Sequence, residues 1–247
     1  HSTLGKYRKD DKRTGWLSNN PERPTKNGLR IGKRLPERKR GEPIDQILEW
    51  ERDGQYFHYL TKWMVALIHM GNFLGEKKCR LWAVDLLEAS RAFIHNDRMY
   101  WKMSIDLSRP LITSMGQHDP LDGYVTYKLI DTYSEKNLTP IVNEMRDKAR
   151  KIRLETTDPL GIGNMLVDAY RLVQLNKDDT MINKIVEVAE FGLNCFNPSD
   201  HSLAFRELGL AIGIEASKRM DKFKKYWDIR NRLNSYWLDH RQWSEPH

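Results

Sequence analysis

Cysteine is almost absent: Cys79 and Cys195 are the only two in 247 residues. That excludes a dense disulfide framework of the secreted kind. Two reduced, buried thiols in a cytoplasmic protein are expected, with a single bridge between them as the alternative. Neither CxxC nor HExxH occurs, nor any comparable ligand spacing, so no metal site is expected. No apolar run nears the ~18 residues that cross a bilayer. The opening HSTLGKYRKDDKRTGW lacks the apolar centre of a secretory signal, and its start at His1 rather than Met points to a missing upstream piece. GxSxG is absent, and no Ser–His–Asp grouping follows from spacing. Gly161-Ile162-Gly163 has no strand before it and runs on into a helix, so it is not a phosphate loop. No cofactor is expected, and no membrane partner.

What is present is charge, unevenly placed. The net charge of +7 conceals a division. Residues 1–41 hold thirteen Lys and Arg against four Asp and Glu, and the rest holds twenty-eight against thirty. The excess positive charge therefore lies in an N-terminal arm, residues 1–45, which carries Pro21, Pro24, Pro36 and Pro43 with five glycines and has no helical periodicity. Asn27 to Lys33 is expected to turn and form a short strand. Such an arm either engages nucleic acid or another anionic surface, or wraps a slightly acidic body as a solvated segment. The body has no basic stripe, which disfavours nucleic acid as a partner.

From Asp53 the pattern becomes helical. Tyr56, Tyr59, Leu60, Trp63, Met64, Leu67 and Ile68 recur at spacings of three and four, which predicts a helix over 55–74 with Tyr59 and Trp63 in its buried stripe. Gly75 ends it, and 77–94 forms the partner, making an αα-hairpin. The pattern recurs as 123–134 with 138–153, 160–175 with 180–195, and 201–220 with 222–237. Each first helix follows an Asp (Asp53, Asp122, Asp158, Asp200), as an N-cap requires. These starts lie 69, 36 and 42 residues apart. Removing about 28 residues of insert brings the first interval near the others, as a stacked hairpin array requires. The first helices carry small residues (Gly161, Gly163, Gly209, Ala211, Gly213) and the second more charge, so the first set is expected to be inner. The expected fold is a single all-α domain over 1–247, its hairpins over 54–238 arranged as an (α/α)6-type toroid. The four visible hairpins leave the ring incomplete within this chain. An open solenoid is the alternative.

The insert, about 95–122, interrupts the helices with RMYWKMSIDLSRPLITSMGQHDPLDG, where two Pro and two Gly break any helix. Its aromatic and polar content predicts an ordered loop that builds a site. Four strings, NGLRIGKRLPER from Asn27, DGQYFHYLTKWM from Asp53, Met99 to Gly123, and FNPSDHSLAFRELGLAIG from Phe196, resemble a family of uncharacterised microbial proteins. Their hairpins are similar to those of the six-hairpin glycosidase-like (α/α) toroids. The resemblance implies a funnel at the inner-helix N-termini where sugars bind, as in inverting glycosidases, polysaccharide lyases and sugar epimerases.

Glycoside hydrolysis needs two carboxylates, one of them kept protonated. Asp106, expected in a short strand, Asp119 and Glu207 are the candidates that capping does not explain, with Asp122 shared between capping and substrate binding. His118 is the candidate acid–base histidine, joined by His58 and His201 near inner-helix starts. Tyr100 and Trp101 lie off the helices and suit a stacking platform, and Tyr56 belongs to the same aromatic supply. Gln117 contributes a polar contact, and Arg109 either grips an anionic group or braces the loop. The leading expectation is a glycoside hydrolase-like protein acting on a glycan through paired carboxylates. A cofactor-free sugar epimerase using histidines is the second, and a non-catalytic helical-repeat scaffold that binds a peptide is the third.

Overall fold

The computed structural model describes residues 3–95, 98–175, 178–198 and 203–239. The fold is mostly helical, with four two-residue strands. It divides into two compact units, His1–Ala149 and Arg150–His247.

The N-terminal unit begins with the arm, which forms no strand over 27–33. Positive φ at Gly28 (78°) and Gly32 (79°) turns the chain twice, and the Ile31 N–H is spent on the Gly54 carbonyl. Then come α1 (Gln46–Glu51), β1 (Gln55–Tyr56), α2 (Phe57–Leu74) and α3 (Lys77–Ser90). A hairpin of β2 (Ile94–His95) and β3 (Arg98–Met99) follows, then β4 (Lys102–Met103), α4 (Asp119–Tyr133) and α5 (Thr139–Lys151). Strands β1 and β4 pair antiparallel, Gln55 opposite Met103, which ties the insert to the start of α2. α2 buries Phe57, Leu60, Met64, Leu67 and Ile68 and stops at Gly75, whose φ of 69° supplies the left-handed cap. It packs on α3 and on α4.

The C-terminal unit holds α6 (Pro159–Gln174), α7 (Asp179–Cys195), α8 (Ala204–Ala216), two 3-10 turns over Ser217–Arg219 and Asp221–Tyr226, and α9 (Trp227–Leu238). α6 packs more extensively on α8 than on its own hairpin partner α7. Glycine permits this: a Cβ on Gly163 would collide with the Gly209 carbonyl, and one on Gly213 would collide with Gly163. First helices thus pack on first helices in both units, α2 on α4 and α6 on α8.

Several expectations are corrected. α1 was not foreseen, because Asp45 caps it through the Ile47 and Leu48 amides while its apolar Ile47 and Trp50 point outward. Asp53 does not cap α2, whose N-cap is Tyr56. Asp122 is not a cap either, since α4 begins at Asp119 with Pro120 in its first turn, where a fixed φ suits a helix start. Asp158 does cap α6, through the Gly161 amide. Asp106 lies in a turn beyond β4 rather than in a strand. Helix α8 ends at Ala216, and α9 begins at Trp227 after 3-10 turns. Tyr59 is 48% exposed, Trp63 is half-buried, and Cys195 is exposed while Cys79 is buried. Asp200 and His201 lie outside the described residues.

The arm is packed rather than solvated. Leu17 and Leu29 are buried, and the Asp53 carboxylate, wholly buried, accepts from Arg30 (3.0 Å), Arg8 (3.3 Å) and the amides of Gly32 (2.8 Å) and Gly54 (3.0 Å). Arg23 grips Asp85 of α3 with both ends of its guanidinium. Among the described residues, five of the arm's thirteen cations, Arg8, Arg13, Arg23, Arg30 and Arg38, thus meet carboxylates of their own unit. Removing one partner of a buried ion pair costs ~3–5 kcal/mol. Asp53→Ala is therefore expected to lower urea-unfolding stability by about that much, and a loss under about 1 kcal/mol would show that the arm docks without this hub. Gly163→Ala, which overpacks the α6–α8 contact, is expected to cost about 1–3 kcal/mol in the same assay.

Candidate functional site

The insert and the start of α2 place several predicted residues together. β1–β4 pairing and the Phe57 N–H donated to the Trp101 carbonyl (3.1 Å) fix Trp101 beside Tyr56, their rings edge to face with centroids 4.9 Å apart. Trp101 also stacks on Trp50 of α1 at 4.9 Å, and its Nε1 donates to Ser114 Oγ (3.0 Å). These two tryptophans, with Ile44, Gln46, Glu49, Ile112, Thr113 and Ser114, line a cavity of about 200 Å³. The Tyr56 ring is followed by those of Tyr59 (5.6 Å) and His58 (5.9 Å), forming a continuous aromatic shelf. Burial pushes the Tyr56 phenol well above its usual pKa, and its hydroxyl, enclosed, finds no hydrogen-bond partner.

His58, at one end of this cluster, lies within electrostatic reach of Lys62 on α2 and of Asp122 in the first turn of α4. Asp122, buried, accepts Lys62 Nζ at 2.8 Å and the Thr61 hydroxyl. One turn earlier, Asp119 is buried at the N-terminus of α4. Burial first, and the neighbouring Asp122 second, push its pKa from 3.8 up to about 7, against the pull of the Gly116 amide and Lys62. Its Oδ2 is enclosed without a hydrogen-bond partner among the described residues. Gly116 is required here, because a Cβ would collide with that carboxyl group. His58 is exposed at its surface; crowding and Lys62 lower its pKa, and Asp122 opposes them.

Two neighbouring carboxyl groups thus sit in different settings, Asp119 pushed toward the neutral acid by burial and Asp122 bonded to Lys62 and Thr61. That is the arrangement from which proton donation and charge stabilisation are divided between two residues. His118, half-buried, is the N-cap residue of α4 beside Asp119, and Gln117 is exposed before it. Tyr100 is half-buried next to Trp101, its N–H donated to Phe93.

Other expected residues are held by partners of their own. Asp106 is caged by Ser104 Oγ (2.6 Å), Ser108 Oγ (2.7 Å) and Arg13 (3.5 Å). Partial burial would raise its pKa, but the serine hydrogen bonds and Arg13 prevail and hold it below the usual value, which does not suit a proton donor. Arg109 braces the loop, donating to the Arg38 carbonyl. Glu207 belongs to the C-terminal unit, where its buried carboxylate accepts from Trp237 Nε1 at 2.7 Å. His201 lies outside the described residues. Sequence reasoning missed Trp50, Thr61, Lys62 and Gly116. Lys62 sits four residues after His58 on α2, a spacing that puts both on one face and was the available signal.

No family model, curated protein or solved structure matches the chain. No helix among the described residues is long and apolar enough to cross a membrane.

The raised pKa of Asp119 has a stability consequence. Its folded pKa lies above the ordinary one, so the folded state holds this proton more tightly. The contribution is full below about pH 4 and is lost as pH rises toward 7, by about 4 kcal/mol at ~1.36 kcal/mol per pH unit. Between pH 4 and 8, wild type is expected to lose stability relative to Asp119→Asn by up to that amount in denaturant titrations. Parallel profiles would show that Asp119 titrates normally.

Proposed function

We propose that the N-terminal unit carries a carbohydrate-active site of glycoside hydrolase type. The observation that carries this reading is the Asp119–Asp122 pair, one carboxyl raised to about pKa 7 and the other held by Lys62 and Thr61, beside an aromatic shelf. In this reading Asp119 is the general acid, replacing Asp106 and Glu207 in that role. It donates its proton to the oxygen of the scissile glycosidic bond as that bond breaks. Asp122 faces the developing positive charge on the sugar or draws a proton from the attacking water. Trp50 and Trp101 offer flat faces to a sugar ring. Their cavity is smaller than the ~300 Å³ at the lower end of ligand pockets, which suits one ring rather than a long chain.

The toroid belongs to the same proposal. First helices packed on first helices in each unit support an inner layer, and glycosidase-like toroids gather their sites at the inner-helix N-termini, where Asp119 begins α4. A second reading, a cofactor-free sugar epimerase, is favoured by His58, whose lowered pKa keeps it neutral near pH 7 as a base requires.

Assay of the full chain against a glycan panel tests both. Hydrolysis is expected, reduced roughly 100-fold or more in Asp119→Asn, as for loss of a general acid, with the basic limb of the pH profile falling near 7. Asp122→Asn should shift that limb downward. Hydrolysis at wild-type rate in both variants removes the hydrolase reading, while solvent deuterium entering a sugar C–H without bond cleavage replaces it with epimerisation.

A further inference from the structure

A second cavity lies on the same unit at the N-terminus of α3 and the C-terminus of α4. It encloses about 440 Å³, within the range of small-molecule sites. Lys77, Lys78, Arg80 and Lys136 line it, and Glu135 is its only carboxylate. The charges here are placed unlike those of the arm's ion-paired arginines. In the arm, Arg8, Arg13, Arg23, Arg30 and Arg38 each meet a carboxylate. None of the four cations around this cavity forms an ion pair among the described residues. Arg80 has its Nε enclosed with no hydrogen-bond partner, and its guanidinium lies 5.8 Å from the centre of the Tyr133 ring.

The first turn of α3 adds to this field. Glu76, its N-cap residue, makes no side-chain cap bond, and no acidic residue follows in that turn. Its amides place the positive end of a fourteen-residue helix at the rim, opposed by the negative C-terminal end of α4 at Tyr133, so the lysines set the sign of the field. The wall is apolar, formed by Leu81, Val84 and the Tyr133 ring. A rim of unmatched positive charge above such a wall selects a ligand with an anionic head and a flat apolar body.

We propose that this cavity binds a phosphorylated aromatic small molecule of the nucleotide class, its phosphate at the lysine rim and its ring against Tyr133 and Leu81. Phosphate oxygens accept from Lys77, Lys78 and Lys136, Arg80 adds its positive charge, and the ring stacks with the tyrosine. The site is separate from the carboxylate pair proposed for sugar chemistry and stands or falls independently of it.

Calorimetric titration of the full chain with adenosine diphosphate, adenosine and inorganic phosphate tests this. The diphosphate is expected to bind roughly tenfold or more tightly than either fragment, because both halves of the site contribute. The double variant Lys78→Ala/Lys136→Ala should weaken it by on the order of tenfold, the loss of two charge-assisted contacts. Both lysines are exposed, so the variant's melting temperature without ligand should match wild type. Tyr133→Ala should weaken the diphosphate while leaving inorganic phosphate unchanged. The proposal is overturned if the diphosphate does not bind, if it binds no better than phosphate, if the lysine variant binds equally well, or if only long polyanions such as heparin bind.

Discussion

A buried carboxylate must be answered, and in the N-terminal unit the answer to Asp53 comes from more than twenty residues away. Arg8, Arg30 and the Gly32 amide converge on it from the arm. An unpaired charge in that position would be strongly destabilising. This constraint makes a Pro- and Gly-rich segment part of the fold. It also changes what the arm's basicity means. Part of a run of positive charge that looks like a surface for anionic partners is an internal counterion set, with Arg13 on Glu37 and Arg23 on Asp85 repeating the logic.

The same constraint reaches the candidate site through a second buried carboxylate. Glu49 of α1 meets Arg38 of the arm at 2.9 Å and the fully buried Lys102 of β4 at 3.1 Å. Burial lowers the Lys102 pKa, and the Glu49 carboxylate works against that fall. The Glu49 pair pins α1 to β4. One residue beyond each partner are Trp50 and Trp101, whose rings are thereby set in register. The tryptophan shelf is a product of electrostatics one layer beneath it.

What the sequence made legible was periodic or local. Helix α2 is readable because its apolar residues fall on one face, and Gly75 and Asp158 act at the positions their chemistry predicts. Asp53 and Asp122 looked equally like caps, because the rule for caps concerns only the next three residues. Their carboxylates are used by Arg30 and Lys62, partners far away in sequence. Asp106 and Asp119 were likewise indistinguishable as candidates. Two serines within two residues and Arg13 caged one, while Pro120 drew the other into the first turn of a buried helix. Glu207 was grouped with them on helix position alone, and its partner Trp237 lies on another helix. Tyr59 fits the apolar stripe of α2 yet lies at its exposed edge, in the aromatic cluster rather than the core.

Buried carboxyl groups within the N-terminal unit are treated in two different ways. Asp53 and Glu49 are as buried as Asp119, and each is met by cations and amide donors. A carboxyl group that serves only the fold is satisfied in this way, since leaving a buried polar atom unpaired costs ~1–3 kcal/mol. Asp119 is treated differently: Lys62 goes to Asp122, the Gly116 amide is its restraining contact, and one oxygen is left without a partner. The fold therefore carries a cost at Asp119 that it avoids at Asp53 and Glu49. Gly116 preserves the space this arrangement requires, and the aromatic cluster that begins at His58, within reach of Asp122, continues through Tyr56 to the Trp50–Trp101 cavity. Unanswered buried acidity beside an answered carboxylate is costly for stability and useful for proton transfer, and that asymmetry is what singles out α4's first turn.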